Sequence, residues 1–329
     1  MTAALPPLRV VSSSPASRAG HVNGTRPVTI TFNEPLPASV PFPRLSPSVP
    51  GTWRRSGNSA IFTPGASGIP GHTSVTVSMP KTGTVVRSAY RSTFSTARYS
   101  TLRLQQLLAQ MGYLPLSWSP RLKGSVAPGS VAAQAAAAFS PPAGSFSWHG
   151  GYPGQLHGMW KAGSANLVDN GAIAAFENDH GLQPDGVAGP KVWKALLAAA
   201  AKGKRNSHGY SYAVASESTP ESLTIWHDGR EVLSSPANTG QAVAPTATGT
   251  FWVYEKLPYQ IMQGTNPGGS RYSDPVQWVS YFNAGEAVHY FDRGSYGWPQ
   301  SLGCVELPYS EAEESYHDLP YGSLVSVDP

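Results

Sequence analysis

The stretch AVHYFDRGSYGWPQSLGCVELPYSEAEESYHDLPYGSLVSV, Ala287–Val327, holds Cys304, the single cysteine of a 329-residue chain. A lone cysteine without context is more often a small buried hydrophobe than a reactive group, because free cysteine is among the most buried residue types. The surroundings open a second reading. EAVHYF reads as a strand and carries His289. A Gly- and Pro-bearing loop, DRGSYGWPQS (Asp292–Ser301), then turns the chain back toward Cys304. A thiol becomes a useful nucleophile when a neighbouring base or positive field raises its thiolate fraction. Spacing alone leaves both readings open.

Outward from this stretch, strand signals dominate 207–329. SLTIWHDGREVLSS sets Asp228-Gly229 between two strand-like runs, a hairpin signal, and GTFWVYE, QWVSYFN and SLVSV predict further strands. Before residue 207 the periodicity changes. In TLRLQQLLAQMGYLP, Leu104, Leu107, Leu108 and Met111 fall at i, i+3, i+4 and i+7, one face of a helix. NGAIAAFENDHGL predicts a second helix, with Asp169 or Asn170 as N-cap and Gly181 as terminator. A third starts at Pro190 and aligns Trp193, Leu196, Leu197 and Ala200. These define a small three-helix module over 99–206, interrupted at about 115–165 by a Gly/Pro/Ala-rich insertion with Trp118, Trp148 and Trp160. Residues 1–98 read as a small β-sandwich. VTITF (Val28–Phe32) points Val28, Ile30 and Phe32 inward, and HTSVTVSM does the same with Val75, Val77 and Met79. No titratable cluster occurs there, so a spacer role is expected. The expected fold class is multidomain and mostly β: an N-terminal β-sandwich, a three-helix module and a C-terminal mostly-β domain.

These segments also carry resemblances. LRLQQLLAQMGYL with AIAAFENDHGLQPDGVAGPKVWKAL resembles the peptidoglycan-binding module of bacterial wall enzymes, its DG-x-x-G-x-x-x-W turn included; Asp185, Gly186 and Trp193 are read as structural. SSSPASRAGHVNGTRPVTITFNEPLP and IFTPGASGIPGHTSVTVS resemble strands of a bacterial immunoglobulin-like domain. The stretch from Ala287, together with the upstream NTGQAVAPTATGTFWV, resembles the catalytic domain of the L,D-transpeptidases (YkuD type) over roughly 209–329. That family's pattern is a histidine, a loop, Ser/Thr-His-Gly-Cys, a hydrophobic residue, then Asn or Arg.

The last resemblance implies roles residue by residue. Cys304 attacks the carbonyl of the third residue of a peptidoglycan stem, expelling the terminal D-alanine and forming a thioester. His289 takes the thiol proton and later activates an acceptor amine, its ring held by the backbone carbonyl of Tyr290. The amides of Leu302, Gly303 and Cys304 form an oxyanion hole, with Gly303 allowing the tight turn. Ser301, Glu306 and Tyr281 are expected at the substrate cleft. The implied product is a 3→3 cross-link; water as acceptor gives L,D-carboxypeptidase activity instead. Two departures stand out. Leu302 replaces the family's usual histidine, which is compatible with turnover because an oxyanion hole needs the N–H rather than the side chain. Glu306 replaces the usual Asn or Arg, and a carboxylate there favours imidazolium while disfavouring thiolate. Leu302 is also the sequence argument for an alternative, a non-catalytic peptidoglycan-binding scaffold with a degenerate site. A papain-like peptidase fits less well, since those place the cysteine before the histidine. Implied partners are peptidoglycan stem peptides and glycan, with inhibition by carbapenems.

Composition bounds the rest. The net charge is +4 with only 13% of residues charged, and no Lys/Arg stripe with interleaved aromatics argues for nucleic acid. The 34 Gly, 31 Pro, nine Trp and fifteen Tyr suit turn-rich β-structure with aromatic cores. No apolar run reaches the ~18–20 residues that span a bilayer; the Ala-rich stretches at 131–139 and 195–201 are too short. Neither Cys-x-x-Cys nor His-Glu-x-x-His spacing occurs, and no Gly-rich phosphate loop precedes a lysine, so no metal or cofactor is expected. MTAALPPLRVVSSSP lacks the pattern of a signal peptide. An extracytoplasmic enzyme whose leader has been removed is nevertheless expected, because the implied substrate is the wall. Having no second thiol suits such an enzyme, since its nucleophile cannot be lost to an internal disulfide.

Overall fold

Period-two burial organises the first of two units. Val28, Ile30 and Phe32 are buried while Thr29 and Thr31 are not, and Val75, Val77 and Met79 repeat the pattern. The computed structural model describes residues 7–81, 85–86, 88–124, 126–127 and 129–329. The first unit comprises Met1–Leu104, Pro120–Ala143 and Trp193–Gly203; the second comprises Gln105–Ser119, Gly144–Val192 and Lys204–Pro329. The 99–206 stretch thus contributes to both. In the first unit lie β1 (Val10–Ser14), β2 (Val28–Phe32), β3 (Arg44–Ser46), β4 (Gly51–Ser56), β5 (Ser59–Pro64), β6 (Ser74–Met79) and β7 (Tyr90–Ser95). They form two antiparallel sheets, ordered β1-β2-β5-β4 and β3-β6-β7. One apolar core joins Ile30, Phe32 and Phe62 of one sheet to Val75, Val77 and Phe94 of the other.

The middle of the chain is richer than three helices. It holds α1 (Thr101–Met111), β8 (Leu116–Pro120), α2 (Val131–Phe139), β9 (Gly144–Trp148), α3 (Gly154–Gly158), α4 (Leu167–Asp179) and α5 (Pro190–Ala201). The insertion therefore carries the β8–β9 pair and the α2 and α3 helices. Ser130 caps α2 by accepting from the Ala133 amide at 3.1 Å. Helix α4 begins earlier than Asp169 or Asn170 would allow. Extended Asn166 is the cap, accepting from the Asp169 amide at 2.9 Å, which releases the Asp169 carboxylate for other contacts.

In the second unit α4 approaches the loop before the C-terminal strand so closely that a side chain could not intervene. A Cβ on Gly171 would meet the Gly322 carbonyl oxygen at 2.5 Å, and one on Gly322 (φ +79°) would meet that of Gly171 at 2.1 Å. The remaining elements are β10 (Ser211–Ser216), β11 (Ser222–His227), β12 (Arg230–Pro236), β13 (Gly249–Trp252), β14 (Glu255–Thr265), β15 (Arg271–Asn283), β16 (Glu286–Tyr290), β17 (Val305–Leu307), α6 (Tyr309–Asp318) and β18 (Leu324–Asp328). One sheet runs β12-β11-β10-β18-β13, with β10 parallel to β18. The other runs β14-β15-β16-β17, with β16 parallel to β17. Leu223, Ile225 and Val325 from the first sheet share a core with Phe282, Val288 and Val305 from the second, closed by Ala312 of α6. The molecule is thus mostly β, with a C-terminal domain of two sheets and one helix.

Candidate active site

The short segment after β12 builds the site's frame. Asn238 and Glu306 exchange backbone hydrogen bonds, each at 2.9 Å. The Ser301 amide donates to the Thr239 carbonyl at 2.9 Å, and the Gln241 amide to the Ser301 carbonyl at 3.0 Å. Asn238 Oδ1 accepts from the Gly297 amide at 3.1 Å. Beneath them the buried carboxylate of Glu221 accepts from the Thr239 amide at 2.6 Å and its hydroxyl at 2.9 Å. Both ends of the loop from Gly297 to Glu306 are thereby tied to one strand-like segment. NTGQAVAPTATG, a stretch with little chemistry of its own, acts as the clamp that shapes the loop carrying the thiol.

His289 reaches the site from β16, an interior strand whose residues Ala287, Val288 and His289 are all buried. Its Nδ1 lies 2.9 Å from the Tyr290 carbonyl oxygen. That acceptor requires the proton on Nδ1, so neutral His289 presents Nε2 as a lone pair. Burial lowers the imidazole pKa below its ordinary value, against the Tyr290 hydrogen bond and the Glu306 charge, which raise it. Cys304 is half-buried and packs beside a small apolar cluster containing Tyr281, Val276 and Ala287. Burial pushes its thiol up to about 12; the Ala287 amide opposes the shift, while Glu306 and Glu286 add to it. Both shifts favour a protonated thiol and a neutral imidazole over an ion pair.

Cys304, His289, Leu302 and Glu306 line one cavity of about 300 Å³. Cys304 and Glu306 stand one pleat repeat apart on the chain entering β17, and His289 is the register partner of Glu306. Gly303 has φ +108°, a conformation that L side chains rarely adopt. Its amide donates to Ser301 Oγ at 3.1 Å, and that hydroxyl donates to the Cys304 carbonyl at 2.6 Å. Gly303 N–H is thereby occupied, whereas the amides of Leu302 and Cys304 have no acceptor among the described residues. Ser301 is fully buried, so it braces the turn rather than facing the cavity. Tyr281 contributes ring surface beside Cys304, with its hydroxyl donating to Gln260 Oε1 at 2.8 Å.

The structure adds residues that the sequence reading did not name. Arg293 binds both Glu306 oxygens at 2.7 Å through Nε and Nη2. Glu286 accepts from the Ala247 amide at 3.0 Å and from Asn283 at 2.9 Å. The β14–β15 hairpin contributes Met262, Tyr272 and Asp274 to the cavity wall. A signal for Arg293 was present: it is the single Lys or Arg between His289 and Glu306. Among the described residues, no three His, Cys, Asp or Glu side chains are grouped to hold a metal, and no helix is long and apolar enough to cross a membrane.

Residues 211–327 match the family model of the L,D-transpeptidase catalytic domain (YkuD). No curated protein matches the sequence. Among solved structures, the chain is similar to an L,D-transpeptidase from Mycobacterium smegmatis at 17% identity, covering 98% of this chain and 100% of that one, with a TM-score of 0.34. It is similar to L,D-transpeptidase 3 from Mycobacterium tuberculosis in complex with a faropenem-derived adduct at 17% identity, covering 97% and 98%, with a TM-score of 0.33. It is also similar to the catalytic domain of the E. faecium L,D-transpeptidase at 26% identity, covering 36% and 95%, with a TM-score of 0.33.

Proposed function

We propose that this chain is a peptidoglycan L,D-transpeptidase acting through a Cys304 thioester. The observation that carries the reading is the shared cavity of Cys304 and a His289 whose Nδ1 is tied down, leaving Nε2 as acceptor, within the segment that matches the catalytic-domain family. With burial raising the thiol pKa, His289 Nε2 takes the thiol proton as Cys304 attacks the stem carbonyl. The oxyanion that forms would take the free Leu302 and Cys304 amides. Collapse expels the terminal D-alanine, whose nitrogen takes the proton from His289. The imidazole then deprotonates the side-chain amine of a neighbouring stem, which attacks the thioester and restores the thiol. With water as acceptor the same steps give a carboxypeptidase. The leucine at 302 leaves every group used here in place, so it does not by itself argue for a degenerate scaffold.

The further expectations belong to the same proposal: an extracytoplasmic location, inhibition of Cys304 by carbapenems, glycan binding by the helical segment and a spacer role for the first ~98 residues. The test is mass spectrometry of products from disaccharide-tetrapeptide incubated with the wild type and Cys304→Ala. Cross-linked dimer plus released alanine from the wild type alone supports transpeptidation. Tripeptide alone assigns the carboxypeptidase, and unchanged substrate in both samples sinks the enzymatic reading.

A further inference from the structure

Among the described residues, Arg293 is the single Lys or Arg lining the cavity that holds Cys304. Its guanidinium is fixed on several sides. Nε and Nη2 each donate to Glu306 at 2.7 Å, Nη2 also donates to the Gln300 carbonyl at 3.2 Å, and the group lies 4.6 Å over the Phe291 ring. Glu306 is 4% exposed and both its oxygens are engaged. The guanidinium has five N–H donors, and those on Nη1 have no acceptor among the described residues. Asp274 lines the same cavity but makes no ion pair with Arg293 among the described residues. The structure therefore holds a cation with a free donor edge in the cavity of the thiol.

Its place matches one feature of the substrate class. Cys304 and Glu306 are two residues apart, about 7 Å along the chain, and the guanidinium is bound to the Glu306 carboxylate in the same cavity. In a tetrapeptide stem, the terminal carboxylate lies one residue, about 3.5 Å of chain, past the carbonyl under attack. We infer that Arg293 is a specificity-determining residue that grips the free α-carboxylate of the residue leaving the donor stem, with Glu306 holding the guanidinium in place. The inference rests on the acyl-transfer reading above. A guanidinium already oriented by a carboxylate loses little rotamer freedom on binding a second one. A stem ending in a carboxamide presents donors to donors and forfeits the charge-assisted bond.

The experiment compares disaccharide-tetrapeptide bearing a free C-terminus with the same molecule as its C-terminal amide. Binding is measured calorimetrically to Cys304→Ala, and to Cys304→Ala carrying Arg293→Gln and Glu306→Gln together. The paired change is used because Arg293→Gln alone strands a buried carboxylate, and retained melting temperature verifies the fold. The expected result is about tenfold or greater preference for the acid, falling to about equal affinity once the ion pair is neutralised. Equal affinities at the outset, undetectable binding of both molecules, or a preference that survives neutralisation would each overturn the inference. Turnover by the otherwise unaltered chain separates the two claims. Alanine or alaninamide released equally well from both molecules removes the role of Arg293 and leaves the acyl transfer intact. A carboxylate preference lost on neutralisation, without turnover, keeps the carboxylate site and discards the reaction.

Discussion

Glu306 and Asp169 are withdrawn from water to nearly the same degree, 4% and 2% exposed, yet their surroundings differ in kind. Glu306 faces a guanidinium that satisfies both oxygens. Asp169, in the first turn of α4, meets only neutral donors: Gln105 Nε2 at 2.8 Å, Trp160 Nε1 at 3.0 Å and Asn166 Nδ2 at 2.9 Å. Burial outweighs those bonds and raises the Asp169 carboxyl to about 7. The carboxylate in the cavity of Cys304 is held by a guanidinium. A carboxyl that pins three segments of a helical region together is instead allowed to keep its proton near neutrality. The comparison separates polar burial compensated by an ion pair from polar burial compensated by neutral donors.

The largest effect expected from breaking this contrast is at Arg293. Arg293→Ala leaves Glu306 buried without its partner and should cost about 3 kcal/mol in denaturant unfolding, with most of it recovered when Glu306→Gln is added. A similar loss in both variants would mean that the ion pair is not what matters at this position. Asp169→Ala comes next, at about 2 kcal/mol, because Trp160 Nε1 loses its acceptor, and Gln105 and Asn166 each lose one of theirs, while no charge is stranded. Asp169→Asn should cost less.

The most discriminating effect is on pH dependence. The folded Asp169 pKa, about 7, lies above the value of ~3.9 for an unfolded aspartate. Its contribution is therefore fully present below ~4 and is lost as pH rises through 7. His289 acts in the opposite sense: its folded pKa is depressed, so stability falls as pH drops below ~6.5, where the unfolded histidine takes a proton and the folded one does not. Melting temperatures of wild type and Asp169→Asn from pH 4 to 8 isolate the first term. The wild-type melting temperature should fall relative to that of Asp169→Asn as pH rises, and a constant difference would contradict the assignment.

Much of this architecture was legible because local chemistry and tertiary position agree. Asp228-Gly229 adopts φ +47° and +75° between β11 and β12, as its turn residues demand. Pro190 opens α5 where its fixed φ suits a first turn. The thiol, the histidine and the turn at Gly303 were singled out by the resemblance of their stretch to a known family, because spacing alone left the buried-cysteine reading open. The β14–β15 ribbon was only partly visible. β14 is exposed or half-buried throughout, so no apolar alternation marks Glu255–Thr265 as a strand. The α4 cap was misplaced because Asn166, Asp169 and Asn170 are all competent caps, and the choice depends on Gln105 and Trp160, distant in sequence. The Arg293–Glu306 pair escaped for a related reason. Its cause is the burial of Glu306, which exists only once β16 and β17 have paired.

The central claim, that Cys304 is the nucleophile, is tested most directly by trapping. Protein mixed briefly with disaccharide-tetrapeptide, quenched in acid and weighed intact, should gain the mass of the donor less one alanine. Peptide mapping should place that adduct on Cys304, and His289→Ala should suppress its formation by about a hundredfold or more. An adduct on another residue, or alanine release from Cys304→Ala, would contradict the account.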